Sequence, residues 1–428
     1  MTSRSFPLTY AQVRLLAVLA LINFVNFADR EVLNPLVPLL RQHFSVSDAQ
    51  LGSLQTVMLI VLALASIPFG FLADRISQPK IIVFAALFWS FASLASGLAP
   101  TFMLLLIARA FVGVAEAAYA PAGQAMISDS FSYEHRALAQ SIFAAGMLLG
   151  GAAGFAMGGI LGGRFGWQYT VLIIGAFGIL PALTAFRLPE PPRRPRSELT
   201  GIWQLIKVPA FLALIVAGTC ITFSTVSLVS WGADFIKNYK DFTLREAAIS
   251  ISVISLISLL LGVVSGGYFA DLLQKRYQYG RILVIVTAFL LAAPFLLLAI
   301  QSDEKWIVLM GLFVSGYFMS WYHGPVTAVI HDLTPQRAHA TAIGIYMFVT
   351  QLLGALGATL VGRISDMSDL QIGLQAAVAV MVFGSLLMLQ VIYFVRRDGL
   401  HHPSLAAFRT EDELARQKSG SLPIVRTT

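Results

Sequence analysis

Apolar stretches of about 20 residues, the length that crosses a hydrocarbon core of ~30 Å, recur from one end of the chain to the other with short polar gaps between them. Twelve can be distinguished: 12–40, 47–72, 79–98, 102–127, 137–163, 167–186, 208–236, 244–270, 281–301, 305–332, 338–363 and 371–395. They lack the alternation of a barrel strand, and a backbone in lipid must satisfy its own hydrogen bonds, so each is predicted to be an α-helix. The longest polar stretches, Arg187 to Lys207 and the tail after Arg396, are too short to bury a core. The pattern predicts an all-α integral membrane protein with a first six-helix bundle (1–187), a cytoplasmic linker (188–207), a second six-helix bundle (208–395) and a cytoplasmic tail (396–428).

The polar gaps also orient the chain. With the N-terminus in the cytoplasm, twenty of the 29 Lys and Arg fall on the side of the termini and seven on the other, while Arg30 and Arg109 lie inside spans. Positive charge accumulates on the cytoplasmic side of membrane proteins, so an even number of spans with both termini inside an inner (plasma) membrane is expected. The net charge of +7 is thereby assigned to membrane orientation, and no nucleic-acid partner is expected.

Composition narrows the class. Hydrophobic residues make up 57% of the chain, charged residues only 12%, and mean hydropathy is +0.76, which excludes an ordinary soluble domain. Cys220 is the single cysteine, so no disulfide framework or cysteine metal site is expected, and stability has to come from helix packing. The first apolar run contains Asp29-Arg30-Glu31 and no small-residue cleavage site, and reads as a retained span rather than a signal peptide.

The spans also repeat. Gly70-Phe71-Leu72-Ala73-Asp74 closes span 2 and Gly267-Tyr268-Phe269-Ala270-Asp271 closes span 8, 197 residues later; Arg136 opens span 5 and Arg337 opens span 11, 201 residues later. Two matches at nearly one offset imply duplication. Six spans return the chain to its starting side, so the two halves are parallel repeats about an axis along the membrane normal. The prolines between Leu188 and Ser197 forbid a continuous helix across the join.

A charged side chain at mid-membrane costs about 2.5–3.5 kcal/mol on insertion scales, so Asp29, Arg30, Arg109 and Glu116 require partners or a watery cavity. At ~1.5 Å rise per residue, Asp29 and Arg30 on the outward-running span 1 fall between the depths of Arg109 and Glu116 on the inward-running span 4. Arg109, Gly113 and Glu116 share one face of span 4, and Asn23, Asn26 and Arg30 form a polar stripe on span 1. Two readings stand. In one, Asp29 or Glu116 exchanges a proton while Arg30 and Arg109 grip an anionic head group by paired hydrogen bonds; in the other the four form a permanent structural salt-bridge cluster. Spans 7, 8, 10 and 11 offer instead Trp321, His323 and Tyr346 among aliphatic residues, a surface suited to an apolar tail. His323 beside Gly324-Pro325 either binds substrate or lines a kink. The glycines of span 5 read as close-packing contacts.

Gly70-Phe71-Leu72-Ala73-Asp74-Arg75, with Lys80 beyond it, resembles the loop 2–3 signature of the major facilitator superfamily, and Arg109 to Glu116 resembles its fourth-helix motif. Gly150-Gly151-Ala152-Ala153-Gly154-Phe155 resembles the fifth-helix antiporter motif, with Phe155 where proline is usual. Within the superfamily, Asn26-Phe27-Ala28-Asp29-Arg30, Leu54-Gln55-Thr56-Val57, Phe88-Trp89-Ser90, Arg109 through Tyr119 and Pro189-Glu190-Pro191-Pro192-Arg193 resemble the Spinster family of lysolipid and sphingolipid-phosphate transporters.

The resemblance implies the major facilitator fold and alternating access. It also implies a cytoplasmic latch between halves at Gly70, Asp74 and Arg75, extended here to Arg136, Asp271 and Arg337. Asp29 and Glu116 are then expected to couple protons, and Arg30, Arg109, Asn26, Tyr119, Trp321, His323 and Tyr346 to bind substrate. The expected substrate is an amphipathic anionic lipid such as a lysophospholipid or a sphingosine-phosphate-like molecule, with drugs or small organic anions as the alternative. Protons and membrane lipids are the other partners, the carrier is expected to be a monomer, no cofactor or metal is expected, and no paired histidines or nucleophile elbow suggest an enzyme.

Overall fold

The computed structural model describes residues 9–131, 133–188, 190, 205–277, 279–334 and 339–398, excepting the side chains of 67, 70–75, 120, 121, 125, 128, 133, 134, 136–138 and 340. All twelve spans are helical. Spans 2, 3 and 4 are Asp48–Arg75, Gln78–Gly97 and Phe102–Ser130. Spans 7, 8, 9 and 12 are Pro209–Tyr239, Leu244–Arg276, Gly280–Gln301 and Leu370–Asp398. Helix starts carry the residues that satisfy unpaired N–H groups: Thr9 and Thr243 form capping boxes with Gln12 and Glu246, and Thr101 caps span 4.

Three spans are interrupted, and two others run directly into one another. Span 1 runs as Tyr10–Glu31, then a 3-10 turn Asn34–Leu36, then Val37–Phe44; Pro35 and Pro38, which cannot donate, sit at this break. Span 10 is Lys305–Met319 and His323–Leu333 around a 3-10 turn Ser320–Tyr322, and span 11 is His339–Gly354 and Leu356–Met367. Spans 5 and 6 form Tyr133–Ala185, folded back at Gly166, whose φ of 82° is a left-handed conformation open to glycine at little strain. That one residue replaces a loop, where the sequence suggests a gap of several residues.

Packing repeats with the duplication. In the first half span 1 lies on span 5, span 2 on span 4, and span 3 on spans 4 and 6; in the second, span 7 lies on span 11, span 8 on span 10, and span 9 on span 12. Gly146, Gly150, Gly154 and Gly158 form one row along span 5, and a Cβ at each would run into the backbone of span 1 at Ala20, Phe24, Ala28 and Val32. The halves meet through span 2 against span 11, span 5 against span 8, and the break of span 1 against span 7. These contacts cluster at the end of the bundle remote from the termini: Thr56 Oγ1 donates to the Ala355 carbonyl at 2.6 Å, Thr359 Oγ1 lies 2.8 Å from Thr56 Oγ1, and Gly159 abuts Ala248.

Candidate functional site

The predicted charges assemble around span 1. Asp29 is fully buried, with one carboxylate oxygen accepting from Ser93 Oγ of span 3 at 2.5 Å and the other 3.5 Å from Arg109 Nη1 of span 4. The second guanidinium nitrogen of Arg109 reaches the Met58 sulfur at 2.9 Å, an approach made possible where Gly113 lets span 4 lie against the Met58 carbonyl of span 2. Four helices thus converge on one ion pair.

Two charges beside this pair are not satisfied in the same way. Glu116 is 3% exposed, and its Oε1 has no hydrogen-bond partner among the described residues, which is rare for a buried carboxylate. Arg30 is half-buried, lies with its guanidinium 5.4 Å from the Phe27 ring, and joins no ion pair among the described residues. Arg30 and Arg109 both act electrostatically on Glu116 and on a third carboxylate, Glu31. Glu31, to which the sequence alone assigns no role, accepts from Asn34 Nδ2 at 2.7 Å.

The other predicted binding residues divide. Asn26 is buried, its Nδ2 without a partner among the described residues, next to the charges on span 1. Tyr119 is 1% exposed, donates to the Leu19 carbonyl at 2.8 Å and packs edge-on against Trp89, so it faces the interior of the first half. In the second half Trp321 stacks on Phe269, its Nε1 without a partner among the described residues, His323 is exposed at the break of span 10, and the Tyr346 hydroxyl meets that of Tyr322. The first half therefore holds the charges together, and the aromatic groups form a separate set on spans 10 and 11.

For the expected latch on the terminal side, Gly70, Asp74, Arg75 and Arg136 lie on helices but their side chains are outside the described residues, as is all of Arg337. The linker positions 189 and 191–204 and the tail from 399 are outside as well. Asp271 is described: it lies 3.6 Å from Arg281, whose Nη1 also holds both oxygens of Asp332 at 2.7 and 2.8 Å, all within the second half.

A network that sequence reasoning missed joins the halves at the opposite end. Arg41 binds Asp234 of span 7 through two parallel hydrogen bonds of 2.8 Å, and binds Asp48 at 2.6 and 2.9 Å. Asp48 in turn accepts from Ser365 of span 11 at 2.6 Å, and the Asp366 carboxylate accepts from the backbone N–H groups of Asp48 and Ala49 at 2.7 and 2.9 Å, capping span 2 from the other half. The available signal was Asp234 inside an otherwise apolar run. Beneath this network a pocket between the halves is lined by Arg109, Gln55, Asn34, Ser230 and Trp231.

The comparisons with known proteins agree with this architecture. The family model described as Major Facilitator Superfamily matches residues 19–358, and again 273–419. The chain is 26% identical to Protein spinster homolog 1 of Homo sapiens over 383 residues, covering 82% of this chain and 72% of that protein. It is 25% identical to an MFS-type efflux pump of Mycolicibacterium smegmatis over 368 residues (84% and 86%), and 26% identical to the sphingosine-1-phosphate transporter SPNS2 of Xenopus tropicalis over 383 residues (83% and 74%). A solved bacterial homologue of the human lysosomal transporter Spinster, in an inward-facing and occupied conformation, superposes with a TM-score of 0.82 at 22% identity over 91% of this chain and 99% of that one. A D-xylose-proton symporter superposes with a TM-score of 0.71 at 14% identity, over 89% and 97%. With a family model spanning most of its length and Spinster proteins among its relatives, the chain belongs to the Major Facilitator Superfamily and is a Spinster-like membrane transporter rather than an enzyme.

Proposed function

We propose that this transporter is proton-coupled and moves an amphipathic anionic lipid, of the lysophospholipid or sphingosine-phosphate type, by alternating access. The observation that carries the reading is a cation and a carboxylate in the first half that are unengaged among the described residues: Arg30 joins no ion pair there, and Glu116 has a buried oxygen with no hydrogen-bond partner there. Arg30, with Arg109, receives the head group; Glu116 takes up the proton that offsets its arrival, and Asp29 holds Arg109 in place. The aromatic residues of spans 10 and 11, Trp321 and His323 foremost, receive the tail.

The cross-half contacts at the end remote from the termini close that end, so with both termini cytoplasmic in the plasma membrane the conformation is inward-facing. Residues 1–187 and 208–395 then rock as two units, as monomers, joined by 188–207. Gly70, Asp74, Arg75, Arg136, Asp271 and Arg337 hold the cytoplasmic end when the outer end opens.

Likeness to an efflux pump favours a second reading, a proton-coupled carrier of drugs or small organic anions. Proteoliposomes with an imposed pH gradient, offered a lysolipid and a soluble organic anion in turn, separate the two. Gradient-driven lysolipid movement supports the lipid reading, and movement of the soluble anion alone overturns it.

A further inference from the structure

Asp29 and Glu31 are two residues apart on span 1 and are held in opposite ways. Asp29 has the partners an anion needs, the Ser93 hydroxyl and the Arg109 guanidinium, and no exposed surface through which a proton could arrive. Glu31 is half-buried, its stem runs beside Gly151 of span 5, and its one hydrogen bond among the described residues comes from the neutral amide of Asn34. The charged groups that act on it are Arg30 from its own helix and Arg109 and Glu116 from span 4; span 5 presents a glycine, and none of these charges forms an ion pair with it. Glu31 also ends the first segment of span 1. Its partner Asn34 opens the 3-10 turn that leads to the segment carrying Arg41, and lines the pocket beside Arg109.

Charge balance sharpens the contrast. The cluster holds three carboxylates, Asp29, Glu31 and Glu116, against two guanidiniums, Arg30 and Arg109. An anionic head group entering this low-dielectric region adds to an existing excess of negative charge, so neutralising Glu116 alone only restores the starting balance. A second carboxylate has to take a proton for the loaded site to approach neutrality.

We propose that Glu31 is a second proton-exchanging carboxylate of the transport cycle, and that Asp29 remains the fixed counter-charge of Arg109. The proposal rests on the proton-coupled reading, and its test is built to separate the two. Full-length protein in nanodiscs is titrated with acid and base while infrared difference spectra follow the carbonyl stretch of protonated carboxyls, a readout that needs no substrate.

Glu31→Gln is expected to remove one titrating band and Asp29→Asn to remove none. Glu31→Asp, which keeps the carboxyl on a shorter stem, is expected to shift the band and so guards against misfolding of the Gln variant. Persistence of every band in Glu31→Gln, or loss of a band in Asp29→Asn, overturns the assignment. A second arm measures gradient-driven uptake of lysophosphatidylglycerol and of a soluble organic anion by proteoliposomes, with one proton fewer per cycle expected in Glu31→Gln. Wild-type uptake of both that is indifferent to the gradient overturns the coupled reading itself, and with it the place of Glu31 in the cycle, even where the infrared band is assigned to Glu31.

Discussion

Spans 1 and 4 and their repeats, spans 7 and 10, occupy equivalent places in the two halves yet handle polarity differently. In span 7 the hydroxyls of Thr219, Thr225 and Ser227 turn back to carbonyls four residues earlier on their own helix, the groups that reach across at mid-span are neutral, Ser224 to the Ala377 carbonyl and Trp231 to the Ala358 carbonyl, and the charge, Asp234, lies at the outer end with Arg41. In spans 1 and 4 the polar groups reach across: Asn23 to the Phe143 carbonyl, Asp29 to Ser93 and Arg109, Tyr119 to the Leu19 carbonyl. Duplication has preserved helix positions and packing partners while the chemistry of the two copies diverged. On the proposed function, a transport site between them is charged on one wall and greasy on the other.

The sharpest way to break the comparison is to remove the charge that organises the first half. Arg109→Ala leaves Asp29 buried with only a serine, and breaking a buried pair from one side costs about 3–5 kcal/mol. We expect a marked drop in the thermal unfolding temperature in detergent and complete loss of transport. A companion Asp29→Asn/Arg109→Gln double variant is expected to recover much of the stability and none of the transport. Recovery of transport in that variant would show the pair to be scaffolding only.

Glu116→Gln is expected to act on function with little change in stability, because its Oε1 makes no hydrogen bond among the described residues that the amide would lose. Accumulation driven by a pH gradient should vanish while exchange of substrate down its own gradient survives. Unaltered gradient-driven accumulation in this variant would remove Glu116 from proton coupling.

The outer network tests the comparison at the level of conformation. Arg41→Ala withdraws hydrogen bonds to Asp48 and Asp234, and charge-assisted bonds of this kind contribute about 1.5–3 kcal/mol each. Loss of one such contribution shifts the balance between closed and open outer ends roughly ten- to hundred-fold. Spin labels at the exposed residues Gln42 and Met367, in a Cys220→Ser background, are expected to show a longer distance in the variant, and an unchanged distance distribution would deny the network a gating role.

Much of this was legible beforehand because membrane helices announce themselves. Span limits follow from apolar length, and the observed helices differ mostly by a turn at their ends, as with Lys275 and Arg276 continuing span 8. The meeting of Asp29 with Arg109 could be anticipated from depth alone, since charges at one level in neighbouring helices have few other partners. The outer network was not legible, because Arg41 and Asp48 sit near helix ends where charge is ordinary, and their importance depends on Asp234, Ser365 and Asp366 arriving from the other half. Nor does sequence tell that Tyr119 turns inward: helical periodicity places it on a face, and only the Leu19 carbonyl and the Trp89 ring decide which neighbours that face has.

The smallest expected effects lie on the greasy wall, and they test whether that wall reads chain length. Tyr346 fits where Gly218 leaves room on span 7, and its hydroxyl meets that of Tyr322, itself packed edge-on against Phe289. Tyr346→Phe keeps the ring and removes that hydrogen bond, worth about 1 kcal/mol, so folding should change little. Trp321→Leu removes aromatic surface stacked on Phe269 without placing a new polar group. If the tail lies along this wall, Trp321→Leu should alter the relative uptake of short- and long-chain lysolipids, because each buried methylene is worth about 0.8 kcal/mol, close to fourfold in affinity. Head-group preference should stay as it is, since the charges that set it belong to spans 1 and 4. A variant that changed head-group preference and left chain-length preference untouched would reverse the assignment of the two walls.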